Sequence, residues 1–141
     1  MTGYLLDTNI ISEIRKGSRA DPNLLSWFQS IQEEELFLSV LVLGEVCSGV
    51  ERIRPRDPAQ AQALERWLLD LEATYADRIF PITAAIADRW GRLSAGDPPS
   101  VVECLMAATA LEHGLTLVTR NTQDVKRTGV KFLNPFAPGS T

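Results

Sequence analysis

Four acidic residues occur in apolar or strand-end surroundings and not on polar helix faces: Asp7, Glu45, Glu103 and Asp124. Unpaired carboxylates are costly to bury, so such groups are usually paired with cations or bind a metal ion. Carboxylate oxygens without nearby histidine or paired cysteine favour Mg²⁺ or Mn²⁺ over zinc. These residues therefore predict an acidic metal centre, the kind of site that hydrolyses phosphodiesters with a water molecule as nucleophile.

The local context of each acid predicts that the four meet at one edge of a sheet. Asp7 ends an apolar run that suits a strand buried on both faces, and Asp124 follows shortly after another such run. Glu45 lies on an apolar or small-residue face of a predicted helix, and Glu103 interrupts a helix that is apolar nearly all round. Ligand sites of open α/β sheets form at the carboxyl ends of the strands, so we expect the acids to converge there.

Helix capping is the ordinary alternative for three of these acids. Asp is among the best N-cap residues, so Asp7 could merely cap the helix that follows it. Ser100 and Glu103 have the spacing of a capping box, and the segment 121–124 has it loosely. Glu45 lies inside a helix with no basic residue within one turn, which leaves only an ion pair with a distant arginine as an alternative.

Helices and short apolar strands alternate along the chain and must position these acids. Strands are predicted at 4–6, 36–38, 79–82, 115–118 and 130–133. Helices are predicted at 9–16, 22–31, 40–54, 58–76, 83–96 and 101–113, with a turn at 97–99. This alternation predicts an α/β fold, a three-layer α/β/α sandwich with a short, mostly parallel central sheet. We expect a single domain over residues 1–136 and a loose tail over 137–141.

Composition and charge narrow the class of protein. The 141 residues are 45% hydrophobic and 23% charged, as in one globular domain, and contain no membrane-length apolar run or signal peptide. Cys47 and Cys104 lie in apolar helical patterns, so we expect buried free thiols and a cytoplasmic location. The net charge of −4 argues against nucleic-acid binding through bulk positive charge, but a nuclease can take positive charge from metal ions.

Several short motifs, taken in their order, resemble the PIN-domain ribonucleases, specifically the VapC-type toxins of bacterial toxin–antitoxin pairs and their FitB-like branch. The motifs span nearly the whole chain: Leu6-Asp7-Thr8-Asn9, Gly44-Glu45, the segments 105–110 and 119–124, and Asn134-Pro135-Phe136. The resemblance implies a PIN-like fold and a metal centre made of Asp7, Glu45, Glu103 and Asp124. It also implies polar residues that position water and ligands: Thr8, Asn9, Thr119 and Asn121.

The same resemblance implies an activity and partners. It implies an endoribonuclease that uses Mg²⁺ or Mn²⁺ on single-stranded or loop RNA, and a small antitoxin protein as inhibitor. VapC-type toxins commonly form homodimers, and the apolar stripe of Trp67, Leu71 and Tyr75 on the long helix suits either the core or that interface. Glu103 departs from the family pattern, which has Asp there, so we expect weaker metal binding and slower turnover than an Asp would give.

Two other functions stay open. A PIN-like module with catalysis impaired at Glu103 could be retained for partner binding. A small-molecule phosphatase is the weaker alternative, because the first strand ends in Asp7-Thr8-Asn9 and not in the Asp-x-Asp of an aspartyl nucleophile. The chain also lacks the glycine-rich phosphate loop G-x-x-x-x-G-K-[ST].

Overall fold

The computed structural model describes residues 3–96 and 99–138, so most of the turn predicted at 97–99 and the end of the predicted tail lie outside the described residues. Within the described ranges, strands and helices alternate. The strands are β1 (Tyr4–Leu6), β2 (Leu36–Ser39), β3 (Ile79–Phe80), β4 (Thr116–Val118) and β5 (Phe132–Leu133). The α-helices are α1 (Thr8–Ile14), α2 (Pro22–Ser30), α3 (Val40–Ile53), α4 (Pro58–Thr74), α5 (Ala84–Leu93), α6 (Val101–His113) and α7 (Thr122–Val125). The predicted α/β/α sandwich is confirmed.

The five strands form one parallel sheet in the order β3-β2-β1-β4-β5. The chain first builds outward from β1 through β2 to β3, and then returns to add β4 and β5 on the other side of β1. The reversal lies between β1 and β4, and a crevice opens at the carboxyl ends of the strands at such a point. The pairing of Leu6 with Val118 places Asp7 and Thr119 side by side at this crevice.

The uninterrupted apolar sequence of β1 is explained by burial on both faces of the sheet. Leu5 and Leu6 are fully buried and join one core cluster with residues of α2 and α6, among them Leu24 and Met106. Full burial of one such side chain contributes about 1.5–3 kcal/mol. The strand that precedes Asp7 is therefore anchored in the hydrophobic core.

The apolar stripe of α4 packs on the protein's own core. Leu71 and Tyr75 are buried, with 7% and 5% of their surfaces exposed, and Trp67 packs against the same cluster. Of the two expectations for this stripe, packing on the core is confirmed, while the homodimer stays a prediction. The exposed large apolar side chain of α4 is Leu69, of which 64% is accessible.

The two cysteines have different environments. Both are free, and Cys104 is buried as predicted, but Cys47 is exposed. The prediction for Cys47 is wrong because successive residues of a helix are about 100° apart, so its neighbour Val46 faces the core while Cys47 faces outward.

The C-terminal strand is shorter than predicted, and a further short helix precedes it. Strand β5 covers only Phe132–Leu133, and the helix α7 was not predicted. Asn23 donates a hydrogen bond of 3.0 Å to the carbonyl oxygen of Phe136, which ties the end of the domain to α2. The boundary between a domain ending at residue 136 and a loose tail stays a prediction. Among the described residues, no helix is long and apolar enough to cross a membrane.

Candidate active site

Asp7 lies at the carboxyl end of β1 and begins α1. Its Oδ1 accepts a hydrogen bond of 2.7 Å from the backbone N–H of Thr8, so the predicted helix cap is formed. Its Oδ2 accepts hydrogen bonds from Thr119 Oγ1 at 2.7 Å and from Asn9 Nδ2 at 3.3 Å. Only 6% of Asp7 is exposed. Capping therefore accounts for one carboxylate oxygen, while two side chains from the predicted site hold the other.

Burial raises the pKa of Asp7 above its ordinary value of 3.8, although hydrogen bonds from Thr119, Thr8 and Asn9 act in the opposite direction. These hydrogen bonds come from neutral groups. Within the described ranges, no Lys, Arg or His forms an ion pair with any of the four predicted acids. The negative charge of Asp7 is thus buried without an ion pair among the described residues.

Glu103 lies in the first turn of α6 and faces two of the other acids. The Oγ of Ser100 accepts a hydrogen bond of 3.3 Å from the backbone N–H of Glu103, as the capping-box spacing predicted. The side chain of Glu103 does not close that box. Its Oε1 accepts a hydrogen bond of 2.8 Å from Asn121 Nδ2. The backbone of Glu103 takes part in the cap, while its carboxylate is held toward β4.

The pKa of Glu103 is raised, first by burial and then by the negative charges of Asp124 and Asp7. The hydrogen bond from Asn121 opposes this shift. A charge shifts a neighbouring pKa in this way only over a short distance, so the fold brings Asp7 and Asp124 near Glu103 and thereby groups three of the four predicted acids. Asp124 itself lies in the short helix α7 and is exposed.

Thr119 links Asp7 to Asn121, the residue whose amide holds Glu103. Its hydroxyl donates to Asp7 and accepts hydrogen bonds from the backbone N–H of Asn121 at 3.0 Å and from Asn9 Nδ2 at 3.4 Å. Asn121 is the N-cap residue of α7, but its side chain makes no capping hydrogen bond. The loose capping box predicted over 121–124 is therefore wrong, because the amide of Asn121 is used to hold Glu103.

Glu45 reaches the same edge of the sheet from α3. Its Oε1 accepts a short hydrogen bond from the hydroxyl of Thr8, the residue that follows Asp7. The side chain is half-buried. Glu45 is thus joined to the site through Thr8, whereas Glu103 interacts by charge with Asp7 and with Asp124. The helical neighbours of Glu45 did not indicate this link, because Thr8 is 37 positions away in the chain.

The donor set suits a hard divalent cation. All four acids supply carboxylate oxygens, which are the ligands that Mg²⁺ and Mn²⁺ prefer. In the part of the chain that the structure describes, the side chains as placed form no group of three or more His, Cys, Asp or Glu that could hold an ion. Mg²⁺ commonly keeps several waters and takes only one or two carboxylates, so the chemistry of the donors fits while their spacing leaves room for water.

One cation near the site was not identified from the sequence. The guanidinium of Arg120 lies over the ring of Phe136, 4.3 Å from its centroid, and the backbone N–H of Arg120 donates to Asn9 Oδ1 at 3.2 Å. Its position directly after Thr119, at the end of a strand, was the available signal. Arg120 places a fixed positive charge beside an acidic site.

Comparisons with known proteins give one consistent result. The PIN domain family profile matches residues 4–131. The toxin FitB of Neisseria gonorrhoeae is 30% identical over 94% of this chain and 97% of its own length. The VapC ribonuclease Y4jK of Sinorhizobium fredii is 27% identical over 95% of this chain and 98% of its own. The crystal structure of FitAcB from Neisseria gonorrhoeae is similar with a TM-score of 0.84, at 27% identity over 94% and 98% of the two chains. The chain belongs to the PIN-domain family.

Proposed function

We propose that this chain is a metal-dependent endoribonuclease, the toxin component of a toxin–antitoxin pair, and that its ion is Mg²⁺ or Mn²⁺. The observation that carries the proposal is the group of Asp7, Glu103 and Asp124 at the switch point of the sheet, where the charges of Asp7 and Asp124 act on Glu103 and no ion pair to these acids occurs among the described residues. Its relatives include a toxin and a ribonuclease, which supports the same activity.

Each polar residue of the site has a task in this proposal. Asp7, Glu103, Asp124 and Glu45 would hold the ion, one or two of them directly and the others through its waters, and the ion when bound would neutralise phosphate charge and lower the pKa of the attacking water. Three sets of hydrogen bonds orient these ligands: Thr119 and Asn9 on Asp7, Asn121 on Glu103, and Thr8 on Glu45. Fixing the carboxylates in this way reduces the rearrangement that ion and substrate binding require.

We also propose the partners and the location. The relative FitB is a toxin, and VapC-type toxins pair with an antitoxin, so we expect a small antitoxin protein to cover the acidic site. A homodimer is expected from the family resemblance alone, since the α4 stripe is used by the core. A cytoplasmic location stays a prediction that two free cysteines support. Co-expression with the protein encoded beside this chain tests the antitoxin, and light scattering tests the dimer.

The activity is tested with purified protein, single-stranded RNA, and either Mn²⁺, Mg²⁺ or a chelator. We expect cleavage by the parent protein with either ion and none with the chelator or after Asp7→Asn. The matched control is Asp70→Asn, which removes one charge from the exposed face of α4 and should cleave like the parent. Cleavage by Asp7→Asn at the parental rate would contradict the proposed role of the acids.

The same assay decides between the enzyme and a partner-binding module impaired at Glu103. The module predicts antitoxin binding without metal-dependent cleavage by the parent. The structure favours the enzyme, because the carboxylate of Glu103 is held by Asn121 within the field of Asp7 and Asp124. The additional methylene of Glu103 therefore does not direct its charge away from the other acids.

A further inference from the structure

A cavity of about 340 Å³ opens beside the acids, between α1, α3 and α4. Thr8 and Glu45 belong to its lining, so the cavity is continuous with the candidate active site. Its volume lies at the small end of the range of about 300–1,000 Å³ found for small-molecule sites. The space therefore suits one planar group from a larger ligand that also reaches the acids.

The lining of the cavity combines an aromatic ring with positive charge. Trp67 of α4 lines it, and the Arg15 guanidinium lies over the indole, 5.6 Å from the ring centroid. Arg52 at the last turn of α3 adds a second guanidinium. Both arginines are exposed, and within residues 3–96 and 99–138 neither forms an ion pair. The apolar side chains of Ile53 and Leu64 also line the cavity.

We propose that this cavity is a nucleotide subsite for the RNA substrate, in which an unstacked base packs on Trp67 while Arg15 and Arg52 bind the adjoining phosphate. The proposal rests on the proposed ribonuclease function and deepens it. Single-stranded RNA is commonly bound by stacking its bases on aromatic rings and by arginine contacts. Arg15 already occupies a place over the indole, and because it is exposed it can move to the phosphate when a base arrives.

The charges of the cavity favour RNA over a protein partner as its occupant. The chain carries a net charge of −4, so two arginines without ion pairs beside an aromatic ring form a locally basic site on an acidic protein. Such a site suits a phosphodiester, because guanidinium groups bind phosphates well. Glu45 also lines the cavity and would repel a phosphate, so Arg15 and Arg52 are the groups that can bind one there. Because Thr8 and Glu45 belong to both the cavity and the site, a nucleotide bound in the cavity lies next to the acids.

Gly49 provides a way to close the cavity without disturbing the fold. It lines the cavity from the middle of α3, and a Cβ placed on it would meet no atom within 4 Å. Gly49→Leu therefore fills the space, and Leu is also a better helix former than Gly. Gly91→Leu is the matched control, because Gly91 also lies in a helix with no atom within 4 Å of its Cβ and does not line the cavity.

The test measures the Kd of a short fluorescein-labelled single-stranded RNA by anisotropy, with each variant placed in the Asp7→Asn background to prevent cleavage. We expect Gly49→Leu and Trp67→Leu to raise Kd roughly ten-fold, from the typical value of one base–aromatic stack, and Trp67→Phe to restore most of the affinity. Arg52→Gln should reduce the salt slope of log Kd by about 0.7, the contribution of one phosphate contact. Gly91→Leu and Arg66→Gln, which lies outside the cavity, should bind like the parent.

Folded Gly49→Leu and Trp67→Leu proteins with the parental Kd would overturn the subsite, and so would an unchanged salt slope for Arg52→Gln. A loss of antitoxin binding or of dimers with RNA affinity intact would assign the cavity to a protein partner and overturn it as well. If Trp67→Leu does not fold, the Gly49→Leu pair still decides the matter. Cleavage by the active parent separates the two hypotheses: without cleavage the proposed function fails, whereas cleavage with unchanged Kd values refutes the subsite alone.

Discussion

Replacing Asp7 by Asn should have opposite effects on stability with and without metal. Asn is as good an N-cap residue as Asp, so the hydrogen bond from the Thr8 N–H is retained. At the other oxygen, an amide nitrogen would face Asn9 Nδ2, now 3.3 Å away, and that hydrogen bond is lost at about 0.5–1.5 kcal/mol. The hydroxyl of Thr119 already accepts from the Asn121 N–H and from Asn9 Nδ2, so it can accept from the new amide only by giving up the longer bond, that of 3.4 Å from Asn9.

The removed charge has the larger effect in the metal-free protein. The raised pKa of Asp7 means that burial outweighs its hydrogen bonds, so the folded state disfavours the ionised form relative to water. Removing the charge also lessens the repulsion that raises the pKa of Glu103. We therefore expect Asp7→Asn to be more stable than the parent at neutral pH by about 1 kcal/mol, or about 2–4 °C in Tm for a domain of this size.

Metal binding should make the parent more stable than Asp7→Asn. A ligand at a hundred times its Kd stabilises the folded state by about 2.7 kcal/mol, and we expect only the parent to gain this in full. The assay is thermal unfolding of both proteins in a chelator and in saturating Mn²⁺, with Asp70→Asn as a control that follows the parent in both. The reasoning is refuted if Asp7→Asn is the less stable protein in the chelator, or if Mn²⁺ raises the Tm of both proteins equally.

Three further predictions concern the same acids. Glu103→Asp should tighten Mn²⁺ binding in calorimetry and speed RNA cleavage. Glu103→Gln should lower the Mn²⁺ affinity and the cleavage rate by roughly ten-fold or more. If Glu103→Gln binds and cleaves like the parent, this residue is only a helix cap. Thr119→Val removes the hydroxyl that donates to Asp7 and should cost about 1.5–3 kcal/mol of unfolding free energy in denaturant titrations, with Thr119→Ser close to the parent; equal losses for both would point to packing instead. The folded pKa values of Asp7 and Glu103 lie above their ordinary values of 3.8 and 4.5, so the folded state holds these two protons more tightly than the unfolded state does. Without metal, this protonation stabilises the fold fully below the ordinary pKa values. The stabilisation is lost as the pH rises through the raised pKa values of the folded protein. Denaturant titrations from acid to neutral pH should show this loss, and Asp7→Asn should flatten the curve; a curve identical to that of the parent would contradict the assigned shift.

The position of Asp7 could be predicted because it depends on local pattern. An unbroken apolar run followed by a carboxylate and a helix start is compatible with few folds other than a buried parallel strand ending at a site. Ser39 and Gly114 likewise marked helix ends that the structure confirms, the first through a hydrogen bond from the Leu41 N–H and the second through a positive φ of 66°. In each case the signal and the structure that it predicts lie within a few residues.

The contacts between distant segments could not be predicted in this way. The spacing over 121–124 allowed a capping box, but the Asn121 amide instead binds Glu103, 18 positions earlier. Which of two partners an amide chooses depends on what the fold brings near it, and no local pattern contains that information. The stripe of α4 shows the same difficulty, because its periodicity established one buried face without indicating whether the partner surface was the core or a second chain.

The arrangement of the acids joins a rigid part to an adjustable part. Asp7 is held by hydrogen bonds on a strand end whose neighbours are fully buried, so its carboxylate has little freedom. Asp124 is exposed on a four-residue helix, and one side-chain hydrogen bond restrains Glu103. An ion bound here would therefore be held by one fixed carboxylate, that of Asp7, and by Glu103 and Asp124, which are freer to adjust. Ordering the longer side chain of Glu103 costs more conformational entropy than ordering an Asp would. Metal affinity in this protein should consequently depend on the Glu103–Asn121 contact as well as on Asp7.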